Sequence, residues 1–284
     1  MFFTSNILID VWKFYRVKDW VKNLGIPLVA LFLARQLEIL AFFIILIHSS
    51  FLLAYSFSIN DFFDFKLMEE NNYTSKKIKQ GAPERGVLLL ILLPFFGIFA
   101  TSLFLPFRTI VLTLIFIILF GIYSCPPLRL KRHWLFSLLI NPICIGVLLF
   151  LISYFSMSNQ LTNKAFMFVI VFFSYIFSTE LIHQIAHMKK DKKARIRSFP
   201  NEYGIRTTLR IFQFAQFIVA AASLYLLYID FYLHAIFIGT ILFSLLRTSK
   251  VRAFDVKSTD FEKMRNRMYG SYEGIYYIIW LTFF

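Results

Sequence analysis

The sequence predicts an all-α fold, a polytopic bundle of membrane-spanning helices. Of the 284 residues, 58% are hydrophobic and 37 are Phe, which is too apolar for a soluble domain. The apolar residues form blocks rather than amphipathic stripes, and blocks such as 39–59 and 165–182 contain almost no charge. A helix of this length crosses a hydrocarbon core of about 30 Å. Lipid offers no partners to backbone amides, so these blocks must be helical.

We expect about nine spans within a single transmembrane domain over residues 1–284. Their predicted limits, in chain order, are 21–34, 39–59, 87–105, 109–123, 136–155, 165–186, 207–228, 231–247 and 272–284. The first apolar stretch follows a basic segment and shows no small-residue cleavage site, so no cleavable signal peptide is expected.

The distribution of charge predicts how the spans are oriented. The net charge is +14. All Lys and Arg residues except Arg35, Arg108 and Lys164 lie in or beside the N-terminal segment and the connections that follow even-numbered spans. The positive-inside rule then places the N terminus in the cytoplasm. We therefore expect a multi-pass protein of a bacterial inner (plasma) membrane that contacts membrane lipids and has no nucleic-acid partner.

The long connections are all predicted on the cytoplasmic side. They are 60–86, 124–135, 187–206 and 248–270. Binding and catalytic residues tend to lie on long loops that a rigid scaffold holds in place. The cytoplasmic side is therefore where we expect the chemistry.

A first polar cluster follows the second span. If that span continues as a helix, Asn60 and Asp64 share one face, with Asp61 beside them. Oxygen ligands one turn apart suit Mg²⁺, which is often shared with substrate phosphates. Glu69 is a supporting candidate further along. The alternative is helix-end solvation, because acidic residues are common just past a membrane span.

A second cluster follows the sixth span. Glu180, His183, Gln184, His187 and Asp191 have the spacing that lines one helical face. A Glu inside an apolar span should face the bundle interior or a wet cavity. For His183 and Gln184 an interhelical hydrogen-bond network is an equal alternative. For His187 and Asp191, at the rim of the membrane, we favour a functional role.

Basic residues surround both clusters. Most are explained by membrane orientation and by anionic lipid headgroups, worth about 1 kcal/mol for each residue near the surface. A few would instead hold a diphosphate, because Arg and Lys are the usual phosphate partners. The predicted diphosphate contacts are Lys22, Lys77, Arg85, Lys131 and Arg132.

Together these features resemble the UbiA superfamily of intramembrane prenyltransferases. Asn60, Asp61 and Asp64 match the start of its first signature, Asn-Asp-x-x-Asp-x-x-x-Asp. His187 and Asp191 align with the second, Asp-x-x-x-Asp.

Three other parts of the chain are similar to the same superfamily. Residues 123–132 resemble its Tyr-Ser-x-Pro-Pro-x-Arg-x-Lys-Arg segment, and Gly204 falls where a glycine commonly follows the second signature. The segment Arg16-x-x-x-Trp20-x-Lys22-Asn23 is similar to one found in several branches, decaprenyl-phosphate phosphoribosyltransferases among them.

The resemblance implies a central chamber open to lipid, in which Mg²⁺ ions bind a prenyl diphosphate. Ionisation of the allylic C–O bond gives a carbocation that an acceptor captures. We therefore predict a prenyltransferase that moves a prenyl or polyprenyl group from its diphosphate to an acceptor. Asp64, His187 and Asp191 are the predicted catalytic residues, and Asn60, Asp61, Asp64 and Asp191 the predicted metal ligands.

The chain departs from the superfamily pattern at ligand positions. Met68 replaces the third acid of the first signature, next to Glu69, and His187 replaces the first Asp of the second. Neutral imidazole is a poorer Mg²⁺ ligand than carboxylate and matches transition metals better. Imidazole also works as an acid–base group near neutral pH. Glu69, Glu180 and His183 are the supporting candidates.

Three alternatives stay open at this point. The Arg16 segment favours phosphoribosyl transfer to a polyprenyl phosphate. A UbiA-type terpene cyclase would need the same ionisation but no acceptor. The altered residues Met68 and His187 would suit a catalytically decayed, lipid-binding membrane protein.

Overall fold

The structure is a computed structural model that describes residues 7–34, 38–68, 73–81, 83–193 and 196–229. Every regular element in this part of the chain is helical. The α helices are α1 (Ile7–Phe14), α2 (Val17–Trp20), α3 (Gly25–Ala34), α4 (Ile39–Met68), α5 (Tyr73–Lys79), α6 (Glu84–Ser102), α7 (Phe107–Ser124), α8 (Trp134–Asn141), α9 (Leu149–Phe155), α10 (Asn163–Lys193) and α11 (Phe199–Ile229). Two 3₁₀ turns, Val21–Leu24 and Leu130–Arg132, and a π-helical segment, Pro142–Leu148, complete the described elements.

The chain is an all-α polytopic membrane bundle, as predicted. Six stretches of the described residues are long and apolar enough to cross a membrane: Ile39–Asp64, Arg85–Ser102, Phe107–Ser124, Trp134–Phe155, Asn163–Lys189 and Phe199–Leu226. They correspond to predicted spans two to seven. The first predicted span contains the shorter α3, preceded by a 3₁₀ turn. Predicted spans 231–247 and 272–284, and the connection 248–270, lie outside the described residues.

Two helices continue beyond their predicted spans into the basic connections. The predicted end of span two is residue 59, whereas α4 runs to Met68. Span six was expected to end at residue 186, whereas α10 runs to Lys193. Hydropathy marks the part of a helix that lies in lipid, while the helix itself ends where its backbone hydrogen bonds stop. Both polar clusters therefore lie on rigid helix rather than on loops.

The described chain forms two compact units, and the first consists of Met1–Leu130 and Leu148–Gln160. In this unit α4 packs against α6 and α7, and α9 packs against α3 and α7. The α4–α6 contact is close, since a Cβ added to Gly97 would lie 2.6 Å from the Phe51 ring. Glycine thus lets the two helices approach.

A buried histidine joins three helices of the first unit. His48 on α4 is fully buried. Its Nδ1 lies 2.8 Å from Thr101 Oγ1 on α6, and its Nε2 lies 3.0 Å from Thr113 Oγ1 on α7. Both ring nitrogens are therefore satisfied, as a polar group inside a membrane bundle requires.

The N-terminal segment is fastened to the first unit by hydrogen bonds. The Tyr73 hydroxyl on α5 donates to buried Asp10 on α1. The Tyr15 hydroxyl donates to the carbonyl of Leu90 on α6 at 2.6 Å, and Trp20 Nε1 donates to the Tyr15 carbonyl at 2.6 Å. Burial raises the pKa of Tyr15 to about 12, so its hydroxyl keeps the hydrogen that it donates. This anchoring fixes the segment that contains Arg16.

The second unit consists of Lys131–Val147 and Leu161–Phe284. Here α10 packs along α11, and both contact α8. Leu138, Leu181, Ile182, Ile185, Phe199 and Phe212 form its hydrophobic core. A Cβ on Gly146 in the π-helical segment would lie 2.8 Å from the Phe172 carbonyl oxygen, so this segment packs directly against the α10 backbone.

Helix α11 is kinked near its start. Gly204 has φ 80° and ψ 159°, which lies outside the helical region. This backbone region is open essentially to glycine alone. The kink separates the first turn of α11, which contacts the end of α10, from the rest of the helix.

Candidate functional site

The first polar cluster lies near the C-terminal end of α4. Asn60 Nδ2 donates to Asp64 Oδ2 at 3.2 Å, so the two residues share a face as the sequence predicts. The Ser124 hydroxyl, at the end of α7, donates to Asn60 Oδ1 at 3.3 Å. The amide of Asn60 therefore orients the Asp64 carboxylate.

Asp64 forms a buried ion pair that the sequence did not predict. Arg129 Nη2 donates to Asp64 Oδ1 at 3.1 Å, and the two side chains are only 3% and 10% exposed. Arg129 follows the Pro126–Pro127 turn after α7 and has φ 39°, in the left-handed region. Its Nε is buried and has no hydrogen-bond partner in the described part of the chain.

Asp61 has an arginine partner of its own. Arg16 Nη1 donates to Asp61 Oδ1 at 2.9 Å, while Arg16 Nε donates to Asp19 Oδ2 at 2.7 Å. Asp61 is almost fully buried, and the Arg16 guanidinium also lies 5.2 Å from the centre of the Phe57 ring. Burial lowers the pKa of Arg16, but the charges of Asp61 and Asp19 outweigh this effect and leave its pKa above the usual value.

The two arginines share an uncommon backbone conformation. Arg16 has φ 53° and Arg129 has φ 39°. Outside glycine, left-handed residues cost about 1–3 kcal/mol each and cluster at functional sites. Here each strained residue aims a guanidinium at one aspartate of the same helix.

The donor chemistry of this cluster fits Mg²⁺. It consists of the amide oxygen of Asn60 and the carboxylates of Asp61 and Asp64, all hard oxygen donors. Among the described residues, no group of three His, Cys, Asp or Glu side chains forms a closed metal cage. An open arrangement matches Mg²⁺, which is usually held by one or two carboxylates together with water and substrate phosphates.

The predicted phosphate-binding residues have different surroundings. Lys77 Nζ lies 3.9 Å from Asp10 Oδ2 and 5.5 Å from the centre of the Tyr73 ring. Its charge is therefore paired with the carboxylate that also binds Tyr73. Lys131 is buried, Lys22 is half-buried, and Arg85 and Arg132 are exposed. Glu69 lies outside the described residues.

In the second cluster, Glu180 and Gln184 belong to a hydrogen-bond network between helices. Asn141 on α8 donates to Glu180 Oε2 at 2.9 Å, and Gln184 Nε2 donates to Glu180 Oε1 at 3.3 Å. Gln184 Nε2 also lies 3.2 Å from the Ser137 hydroxyl, while Gln184 Oε1 accepts from the Phe199 amide at 3.0 Å. For Gln184 this is the structural alternative raised by the sequence.

His183 and His187 form a separate pair on the same helix. Their ring centres lie 4.5 Å apart, with the ring planes at 51°. Both side chains, and Asp191 one turn further, are half-buried. The Asp191 carbonyl accepts from the Ile196 amide at 2.9 Å, where α10 gives way to the connection.

Hydrogen bonds and ring contacts fasten the start of α11 to the end of α10 and to α8. Asn201 Nδ2 donates to the Met188 carbonyl at 3.2 Å and to the Ser198 hydroxyl at 2.9 Å. The Trp134 ring meets Phe199 and Tyr203 with centres 5.6 and 5.0 Å apart. These contacts keep the start of α11 beside the end of α10 that presents the histidines.

The described chain is thus a membrane-embedded helical bundle with an Asn-Asp-x-x-Asp cluster at the end of one span. The chain belongs to the UbiA prenyltransferase family, which matches residues 24–269. No curated protein matches the chain.

Solved structures of similar fold come from several proteins. A UbiA homologue from Archaeoglobus fulgidus bound to DMAPP and Mg²⁺ is 14% identical, with a TM-score of 0.74 over 94% of this chain and 99% of that one. An apo UbiA homologue from Aeropyrum pernix K1 is 15% identical, with a TM-score of 0.72 over 94% and 98%. A digeranylgeranylglyceryl phosphate synthase is 17% identical, with a TM-score of 0.68 over 96% of each chain. At these identities the likeness establishes the fold.

Proposed function

We propose that this protein is an intramembrane prenyltransferase that transfers a prenyl or polyprenyl group from its diphosphate to an acceptor. The observation that carries the proposal is the pairing of Asp61 and Asp64 with Arg16 and Arg129 at the end of α4. Family membership supports the same reaction. The homologue bound to DMAPP and Mg²⁺ supports a prenyl diphosphate as donor and Mg²⁺ as its metal.

In this proposal the α4 cluster binds the diphosphate end of the donor. Asn60, Asp61 and Asp64 would hold Mg²⁺, which when bound would neutralise charge that develops on the departing diphosphate. Arg129 has a buried Nε donor without a partner among the described residues. A phosphate oxygen would satisfy it, because buried donors are costly when left unpaired. Asp64 would orient this guanidinium while it binds.

Arg16 would add a second positive group at the same helix end. Its pairing with both Asp61 and Asp19 fixes the guanidinium, so little side-chain entropy is lost when an anion binds. The hydrogen bonds of Tyr15 and Asp10 would keep the N-terminal segment that contains Arg16 in position. Each basic contact would stabilise the additional negative charge that the diphosphate gains when the allylic C–O bond breaks.

The direct test follows diphosphate release from the purified full-length protein in detergent with Mg²⁺ and allylic diphosphates of several lengths. We expect Mg²⁺-dependent release that chelation abolishes. Asp64→Asn should reduce the rate about 100-fold or more, since several kcal/mol of charge stabilisation would be lost. Glu38→Gln, an exposed acidic residue away from the site, is the control and should keep full activity. No release from any allylic diphosphate would contradict the proposal.

The products separate the remaining candidate functions. A cyclised hydrocarbon formed without an acceptor would identify a terpene cyclase. Release only from phosphoribosyl diphosphate with a polyprenyl phosphate would identify a phosphoribosyltransferase. Binding of a prenyl lipid without release from any donor would identify a catalytically decayed relative.

A further inference from the structure

We propose that His183 and His187 form a binding site for a divalent transition-metal ion of the Fe²⁺, Co²⁺, Ni²⁺ or Zn²⁺ class. The inference concerns metal binding by α10 itself.

The sequence spacing and the ring proximity suit a two-ligand site on one helix. His183 and His187 are four residues apart on α10, and their ring centres lie 4.5 Å from each other. Histidines at positions i and i+4 on one helical face are a recurrent way to bind Zn²⁺. Helix α10 continues to Lys193, beyond both histidines, so the backbone that presents them is regular helix.

Two polar side chains beside the histidines, Glu180 and Gln184, fix the position of α10 against its neighbours. Asn141 and Gln184 donate to the two carboxylate oxygens of Glu180. Gln184 in turn accepts from the Phe199 amide. These bonds fasten α10 to α8 and to the start of α11, and so set the rotation of α10 about its own axis. The orientation of the helix face that carries His183 and His187 is therefore fixed before any ligand binds.

The chemistry of imidazole selects the metal. Imidazole suits Zn²⁺, Fe²⁺ and Ni²⁺, whereas carboxylate and water oxygens suit Mg²⁺. Mg²⁺ also loses its hydration water reluctantly. With these two protein ligands, positions on the metal would remain for water or phosphate oxygens. Open positions distinguish reactive metal sites from closed structural ones.

The first test measures metal binding without substrate. Untagged, metal-stripped protein in detergent is titrated with Co²⁺, and binding is followed by the visible absorption of the bound ion. His183→Gln and His187→Gln should each bind Co²⁺ at least about tenfold more weakly than the wild type. The matched control is His133→Gln, because His133 is exposed and lies before α8; it should bind like the wild type. Equal affinity in all four proteins would overturn the proposal.

A second variant separates ligand loss from misfolding. His187→Asp keeps a ligand but replaces imidazole with an oxygen donor, so Co²⁺ binding should weaken while Mg²⁺ binding strengthens. Unchanged preference between the two ions would also overturn the proposal. Because both measurements omit the prenyl diphosphate, they succeed or fail independently of turnover. If diphosphate release is absent but Co²⁺ binding follows the histidines, the proposed function falls and the metal site stands.

Discussion

Arg16 and Arg129 each combine a left-handed backbone with an ion pair to an aspartate on α4. A left-handed arginine is less stable than glycine or asparagine at the same position. For the buried Asp64–Arg129 pair, removal of either partner would leave a buried charge without its counter-ion, so the pair holds the arginine in its strained conformation. At the scale of single residues, the strained backbone of each arginine lowers stability, and it places a guanidinium group beside an aspartate of α4.

The Asp64–Arg129 pair gives a prediction that separates stability from activity. Arg129→Met should destabilise the protein by about 3–5 kcal/mol, because Asp64 stays buried without its partner. The double variant Asp64→Leu with Arg129→Met should recover most of that loss, since no charge remains unpaired. Both variants should lose diphosphate release. Thermal melting in detergent measures the first effect and the release assay the second.

Arg132→Met is the control for this cycle, because Arg132 lies three residues away and is exposed. Its melting temperature should stay within a degree or two of the wild type, as is usual for surface substitutions. A double variant no more stable than Arg129→Met alone would contradict the buried-pair explanation.

The sequence identified the aspartates but not their arginine partners. Asn60 and Asp64 are one helical turn apart, so periodicity alone predicts that they meet. Arg16 and Arg129 lie 45 and 65 residues from their partners, and the chain contains 30 basic residues. Only the packing of the N-terminal segment and of the turn after α7 selects these two. The one available signal is that both arginines lie in segments that resemble the superfamily, residues 16–23 and 123–132.

At the scale of elements, hydropathy located helices better than it located their ends. The six long spans match predicted ones because lipid permits little besides helix. An apolar window does not register the extension of α4 to Met68 and of α10 to Lys193, because polar and charged residues are frequent in the continuing turns. The π-helical segment Pro142–Leu148 has no hydropathy signature either, since it is as apolar as its flanks.

The kink of α11 provides a prediction about one element. Gly204→Ala should cost about 1–3 kcal/mol, because alanine is strained at φ 80°. No atom lies within 4 Å of the added methyl group, so the cost would come from the backbone alone. Gly86→Ala is the matched control: this glycine has no positive φ, and the new Cβ would make an ordinary 3.5 Å contact with Pro83. Thermal melting compares the two, and equal stability would contradict the strain argument.

At the scale of the whole molecule, each compact unit contains one polar cluster on one long helix. The first unit presents Asp64 on α4, and the second presents His187 on α10. The two clusters differ in chemistry, one made of oxygen donors paired with guanidinium groups, the other of imidazoles.

The orientation predicted from charge can be tested on the whole protein. In a variant in which Cys125 and Cys144 are replaced by Ser and Ala, a single new cysteine is placed at exposed Gln80 or exposed Asn159. A cytoplasmic N terminus puts position 80 inside and position 159 outside. A membrane-impermeant maleimide should therefore label Asn159→Cys in intact cells and Gln80→Cys only after permeabilisation. The reverse pattern would contradict the orientation.

The hydrogen bonds of His48, the histidine that joins α4, α6 and α7, have a defined donor and acceptor order. Thr101 has one hydroxyl hydrogen and donates it to the Gly97 carbonyl at 2.7 Å. Toward His48 it must accept, so Nδ1 carries the ring hydrogen and Nε2 accepts from Thr113. The chain of donors therefore runs one way, from α7 through α4 into the backbone of α6. In the neutral imidazole these bonds select one tautomer, the one with the ring hydrogen on Nδ1.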